Sequence, residues 1–166
     1  MSKKSRFFRV AVEGATSDGR TIDRAWLLQI AKHYNPKVYG ARINMEHIRG
    51  YGPNSDFRAY GDVLAVKTEE VDIGGQKKLA LLAQIDATDE LIELNKRRQK
   101  LYTSIEVRPS FADTGEAYLV GLAVTDNPAS LGTEMLAFAA QNPDANPFKA
   151  RKEQPDDVFS VAEPLS

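Results

Sequence analysis

Three side chains in this 166-residue sequence are candidates for nucleophilic chemistry: Ser104, His47 and Asp18. Serine is a weak nucleophile near neutral pH unless a base takes its proton. Imidazole titrates in the range that suits, and a carboxylate can fix its tautomer and stabilise the imidazolium. The chain has two histidines. His33 falls in the last turn of a predicted helix, where the helix dipole favours it, and is read as structural. His47 is therefore the candidate for imidazole chemistry. Asp18 precedes Gly19 in a loop and has a competing reading as a turn former. Asp126, in the compact turn Thr125-Asp-Asn-Pro-Ala129, is the second candidate for the acidic member. Spacing alone does not bring the three together.

Other chemistries find less support. The absence of cysteine excludes disulfides, thiolate zinc sites and cysteine nucleophiles. There is no Gly-x-Ser-x-Gly elbow, no His-Glu-x-x-His and no phosphate-binding glycine pattern, so neither a metal nor a cofactor is expected. A carboxylate pair such as Glu46 with Glu106 has glycosidase chemistry, but among 23 acidic residues such pairs arise by chance. A net charge of −1 gives no global basic field. A nucleic-acid reading rests on Lys96-Arg97-Arg98 and Lys100 alone, and helix-dipole complementarity explains that cluster more simply, so no direct nucleic-acid partner is expected. No apolar run approaches the roughly 20 residues needed to cross a bilayer. The basic N-terminus is not followed by a secretory apolar segment, and the protein is read as cytoplasmic with no membrane partner.

The elements that must position these residues are legible from periodicity. Leu101–Pro109 alternates, with Leu101, Thr103, Ile105 and Val107 on one face and Tyr102, Ser104, Glu106 and Arg108 on the other. That is a half-buried strand with Ser104 mid-strand on its polar face. Ala41–His47 alternates too, which places His47 on the face of Ile43 and Met45. Phe8–Glu13 reads as a first strand ending at Gly14. Asp23 is placed to N-cap a helix from Arg24 to about Tyr34, with Leu27, Ile30, Ala31 and Tyr34 on one face, ended by Asn35-Pro36. Ala59–Asp72 and Lys77–Asp86 form a hairpin about Gly74-Gly75. Thr88 N-caps a second helix from Asp89 to about Arg98. Ala117–Val124 is a further strand, and a short helical or looped segment is expected around Gly132–Ala140. From Gln141 the composition turns polar and proline-rich and periodicity is lost. The expected organisation is a folded domain over 1–140 and an extended or disordered tail over 141–166. About six strands with two inserted helices, in the order β-α-β-β-β-α-β-β, predict an α+β fold built on a mainly antiparallel, barrel-like sheet flanked by helices.

Several stretches resemble the N-terminal protease domain of the GPO family of tailed-phage capsid scaffolding proteins. They are Phe7-Phe-Arg-Val-Ala-Val-Glu-Gly14, Thr16-Ser-Asp-Gly-Arg20, Val38-Tyr-Gly-Ala-Arg-Ile-Asn-Met-Glu-His47, Tyr60-Gly-Asp62, Tyr102-Thr-Ser-Ile-Glu106 and Tyr118 through Glu134. The resemblance runs from about Phe7 to Phe138. It implies a serine endopeptidase that matures procapsids inside the host cytoplasm, with Ser104 as nucleophile, His47 as general base and Asp18 orienting His47. It implies the major capsid protein, the portal protein and the scaffold itself as substrates, and at one remove a likeness to the herpesvirus assembly proteases, β-barrels ringed by helices. Self-cleavage is expected near Ala137-Phe-Ala-Ala140, where small side chains would fit a narrow pocket. The turn Asp126-Asn127 and the Arg108 side chain are candidate oxyanion donors. Family members continue into a long, mostly helical scaffolding region that this chain does not contain, so little scaffolding capacity is expected of a trimmed domain or short natural form. Self-association is left open. The alternative is a non-catalytic docking module that binds the major capsid protein, in which Ser104 and His47 are ordinary residues.

Overall fold

The computed structural model describes residues 3–112, 114–138 and 158–160. The strands are β1 (Lys3–Lys4), β2 (Phe8–Val12), β3 (Gly14–Ala15), β4 (Thr21–Ile22), β5 (Arg42–Met45), β6 (Gly61–Ile73), β7 (Gln76–Ala87), β8 (Tyr102–Arg108), β9 (Tyr118–Thr125), β10 (Leu136–Phe138) and β11 (Val158–Ser160). Two helices interrupt them, α1 (Arg24–His33) and α2 (Asp89–Lys96). The fold is α+β on a mainly antiparallel sheet, as the periodicity predicts.

The sheet runs β1-β7-β6-β5-β9-β8, with β2 also pairing β7. One pair, β5 with β9, is parallel. The long hairpin β6–β7 turns at Gly74 and Gly75, both at positive φ, where glycine carries no Cβ penalty. The barrel does not close. β2 comes alongside β8, but no ladder joins them among the described residues. Residues 130–136 bridge part of this seam instead. Ser130 Oγ accepts from Val12 N–H at 2.9 Å, the Glu134 carboxylate accepts from Arg9 N–H at 2.6 Å, and Leu136 N–H donates to Leu101 C=O at 2.6 Å. The segment turns at Leu131-Gly132 and is a loop through residue 135, the looped form of the expected segment, before β10 begins at Leu136.

The core joins Phe8, Val10, Ile43, Leu81, Ile85, Leu119 and Leu122 of the sheet to Leu27 and Ile30 of α1 and Leu91 of α2. All the α1 core positions lie on the face that helical spacing predicts. Asp23 stands at the N-cap but its side chain makes no cap bond. The Thr88 hydroxyl does cap α2, accepting from Leu91 N–H at 3.4 Å. α2 stops at Lys96 and the chain turns through Arg98 and Lys100, both at positive φ. The predicted boundary at 140–141 and most of the tail lie outside the described residues; within the tail, Val158–Ser160 pairs antiparallel with β10.

Candidate active site

Ser104 and His47 are placed by three adjacent strands. β8 carries Ser104, β9 pairs with it, and β5 pairs with β9 on the other side. The registers Ser104↔Ala123 and Asn44↔Ala123 put Ser104, Ala123 and Asn44 in one row across the sheet. One step along, Glu106, Gly121 and Arg42 form the next row of the same face. The opposite face carries Ile43, Leu122 and Ile105 into the core. The site therefore lies on the polar side of β8 that alternation assigns to Ser104 and Glu106.

His47 reaches this face by a turn, not by continuing β5. The strand ends at Met45, and Ile48 N–H closes back onto Met45 C=O at 2.9 Å. The two central residues, Glu46 and His47, have φ of 54° and 64°. Non-glycine residues rarely occupy this left-handed region. The expected placement of His47 beside Ile43 and Met45 on the apolar face is thus corrected: the turn rotates it off that face. Glu46 secures the turn. Its carboxylate accepts from Thr125 Oγ1 at 2.8 Å and from Lys100 Nζ at 2.7 Å, and its backbone N–H donates to Val124 C=O at 3.1 Å. Burial alone would raise the Glu46 pKa, but the Lys100 and Thr125 hydrogen bonds prevail and lower it.

The carboxylate at His47 is that of Glu106. His47 Nδ1 and Glu106 Oε2 are 2.7 Å apart. Asn44 Nδ2 donates to the same oxygen at 2.8 Å, and Arg49 Nη2 donates to Oε1 at 2.6 Å. Burial pushes the Glu106 pKa up, but hydrogen bonds from His47 and Asn44, with the charge of Arg49, outweigh it and hold the group below the usual carboxylate range. Among the described residues no partner occupies His47 Nε2, and none hydrogen-bonds Ser104 Oγ. Gly121 lets Glu106 lie across β9. A Cβ there would overlap Glu106 Oε1 and come within 2.8 Å of Arg49 Nη2.

Asp18 is elsewhere. The strands β3 and β4 form a ribbon, and Asp18 stands in its turn beside Gly19, whose φ is 88°. Its carboxylate accepts from Thr16 Oγ1 and from Arg20 Nε and Nη2, the latter two at 3.0 and 2.8 Å. Those bonds, the Arg20 one first, hold its pKa at about 2. The expected pairing of Asp18 with His47 is not among the hydrogen bonds of the described residues. Asp126 is engaged as well: its carboxylate accepts from Lys100 N–H at 2.7 Å and from Leu101 N–H at 3.3 Å, fixing the entry to β8. In the Asp126-Asn127 turn, the Asn127 N–H is already engaged, donating to Thr125 Oγ1 at 3.0 Å. His33 is held by Glu116 at 2.6 Å.

Ser104 also borders a cavity of about 450 Å³ at the seam. Ile105 and Val107 of β8, Ile22 of the ribbon, Trp26 of α1 and Ala129, just before the seam segment, form most of its apolar wall.

Residues 5–141 match the family described as the GPO serine peptidase, N-terminal domain. The chain belongs to this family. It is also 50% identical, over 168 residues covering 99% of its length, to the capsid assembly scaffolding protein of Escherichia phage P2. It spans 59% of that relative's length. No solved structure matches it significantly.

Within this GPO-family domain, Glu106 is the carboxylate at His47 that sequence reasoning did not single out as a candidate. A signal was present: Glu106 lies two residues beyond Ser104 on the same strand face. The chance pairing of Glu46 with Glu106 also has a physical sense. Glu46 secures the turn that carries His47, and Glu106 holds its ring.

Proposed function

We propose that the chain is a serine endopeptidase acting in phage capsid assembly, with Ser104 as nucleophile, His47 as general base and Glu106 as the carboxylate that orients His47. One observation carries the reading: His47 is held at Nδ1 by an ionised carboxylate from the Ser104 strand, which leaves Nε2 to act as the base. Glu106 fixes the tautomer with the proton on Nδ1 and stabilises the imidazolium. Ser104 Oγ attacks the scissile carbonyl carbon while its proton passes to Nε2. The tetrahedral intermediate collapses, the C–N bond breaks, and the imidazolium gives that proton to the leaving amine. A water then attacks the acyl ester carbon, its proton passing to Nε2. The second tetrahedral intermediate collapses, the ester C–O bond breaks, the imidazolium returns the water's proton to Ser104 Oγ, and the carboxylic acid product leaves.

In this proposal Asp18 supports the wall of the Ser104 cavity, because it holds Thr16 and Arg20, both of which line that cavity. The relative's name, a capsid assembly scaffolding protein, supports capsid proteins as partners and the procapsid inside the host cell as the place of action. The major capsid protein, the portal protein and the chain itself near residues 137–140 are the proposed substrates.

The test is an intact-mass time course of the purified chain and of Ser104→Ala, each alone and with assembled procapsids of its own phage. Fragments made by the parent and absent from folded Ser104→Ala support the peptidase. Unchanged masses in both samples, with procapsids present, leave the docking module as the correct reading.

A further inference from the structure

We propose that the cavity beside Ser104 takes a large apolar side chain of the substrate, and that the peptide carrying it lies extended along the open edge of β8. The inference rests on the peptidase reading and adds the substrate class.

β8 ends the sheet, and among the described residues no strand pairs with its outer edge. An edge strand presents unpaired backbone donors and acceptors, which an extended peptide can satisfy by adding itself to the sheet. The nucleophile stands on that same strand, so a peptide bound there passes Ser104 without a further turn. The edge is also where side chains from both faces of β8 meet one space: Ser104 from the polar face, Ile105 and Val107 from the core face, all bordering the cavity. The register shift between Glu106 and Val107 lies in the middle of this stretch, and bulges at sheet edges re-aim side chains.

The lining sets the chemistry. Ile22, Trp26, Ile105, Val107 and Ala129 offer apolar contact, and about 450 Å³ is within the range of pockets that bury a sizeable group. The one charged lining residue, Arg20, is already tied to Asp18, so the cavity offers no free counter-charge to an acidic side chain. A methyl group would leave most of the space empty and forfeit the contacts of the walls. A narrow pocket for small side chains was expected from sequence; the proposed one is roomy. In the stretch Ala137-Phe138-Ala139-Ala140, Phe138 is the residue of the right class.

The experiment digests a proteome-derived peptide library with the chain, reads the cut sites by mass spectrometry, and measures kcat/KM for peptide pairs differing only as Phe or Ala at the preferred position. Labelling of Ser104 by a small fluorophosphonate is followed in parallel. The expected result is a preference for Phe, Leu or Met at one position within about three residues of the cut, worth roughly 10- to 100-fold over Ala. Ala129→Phe, which fills the cavity, is expected to cut that selectivity ratio at least tenfold. Trp26→Ala is expected to move the preference toward bulkier residues. A ratio does not depend on the fraction of folded protein. Cleavage with no apolar preference, or a ratio unchanged in both variants, overturns the pocket assignment while the peptidase stands. Labelling without cleavage of any peptide also overturns it. Absence of both labelling and cleavage sinks the peptidase reading itself, and the pocket with it.

Discussion

The Glu106 carboxylate and the His47 ring meet at 2.7 Å although 59 residues separate them in the chain. Glu106 stands two residues after Ser104 on β8, so one strand supplies both the candidate nucleophile and the group that orients its base. Glu106→Gln keeps the shape but removes the charge and favours the wrong tautomer. It is expected to lower kcat by about 10²- to 10⁴-fold, as loss of the orienting carboxylate does in triads of this type, with KM little changed. Asp18→Asn is expected to act mainly on KM, because it loosens Thr16 and Arg20 at the cavity wall. Steady-state kinetics of the two folded variants check this. A larger kcat loss in Asp18→Asn than in Glu106→Gln would reverse the assignment.

Gly121 offers a second route to the same relationship. Gly121→Ala touches neither Ser104 nor His47, yet its Cβ would displace Glu106. Activity is expected to fall toward the level of Glu106→Gln, while overpacking costs about 1–3 kcal/mol of stability. Activity assays beside urea denaturation separate the two effects. A folded variant with full activity would show that Glu106 need not lie across β9.

The turn at Glu46-His47 should be sensitive to its anchor. Left-handed conformations cost roughly 1–2 kcal/mol per non-glycine residue, and here two are held in succession by Glu46's bonds to Lys100 and Thr125. Glu46→Ala is expected to reduce kcat about tenfold with little effect on KM, since the ring of His47 loses its fixed position. Glu46→Gln, which keeps the Thr125 bond, should recover part of that. Equal kcat in parent and Glu46→Ala would show the anchor to be dispensable.

Acid sensitivity follows from the lowered carboxylate pKa values. A carboxyl whose folded pKa lies below its unfolded value stabilises the fold above the unfolded value, and that contribution disappears as pH falls through the folded pKa. Glu106, Glu46, Glu116 and Asp18 all shift in this direction. The chain should therefore lose stability below about pH 4.5, the ordinary glutamate value. Glu106→Gln should lose less than the parent between pH 6 and pH 3, by urea midpoints measured at each pH. An identical loss would mean that Glu106 does not contribute.

The strands, the helices and the face of Ser104 were legible because their signals are local: alternation in Tyr102–Arg108, helical spacing in Leu27 and Ile30, the Gly74-Gly75 turn. The tight turn at Glu46-His47 was not, since it uses none of the glycine or asparagine that usually marks a left-handed pair. The bonds that hold it come from Lys100 and Thr125, more than fifty residues away. Glu106 went unassigned for a related reason. Alternation placed it beside Ser104, but its partnership with His47 depends on the parallel pairing of β5 with β9, and no local pattern encodes that. Asp18 has local partners, Thr16 and Arg20, two residues to either side, which fits the turn-former reading that stood beside the catalytic one.

The middle strand of the site is also the last of the three to be synthesised. β5 and β8 are both made before β9, which lies between them and bridges their registers. A nascent chain that has released Ser104 but not Thr125 carries His47 and Glu106 on strands with no common neighbour, and Glu46 has no Thr125 to grip. At a synthesis rate of roughly 5–20 residues per second, the order of translation delays assembly of the site until nearly the whole domain has left the ribosome. Under the proposed peptidase reading, the topology thus keeps the nascent chain free of a complete site for most of its synthesis.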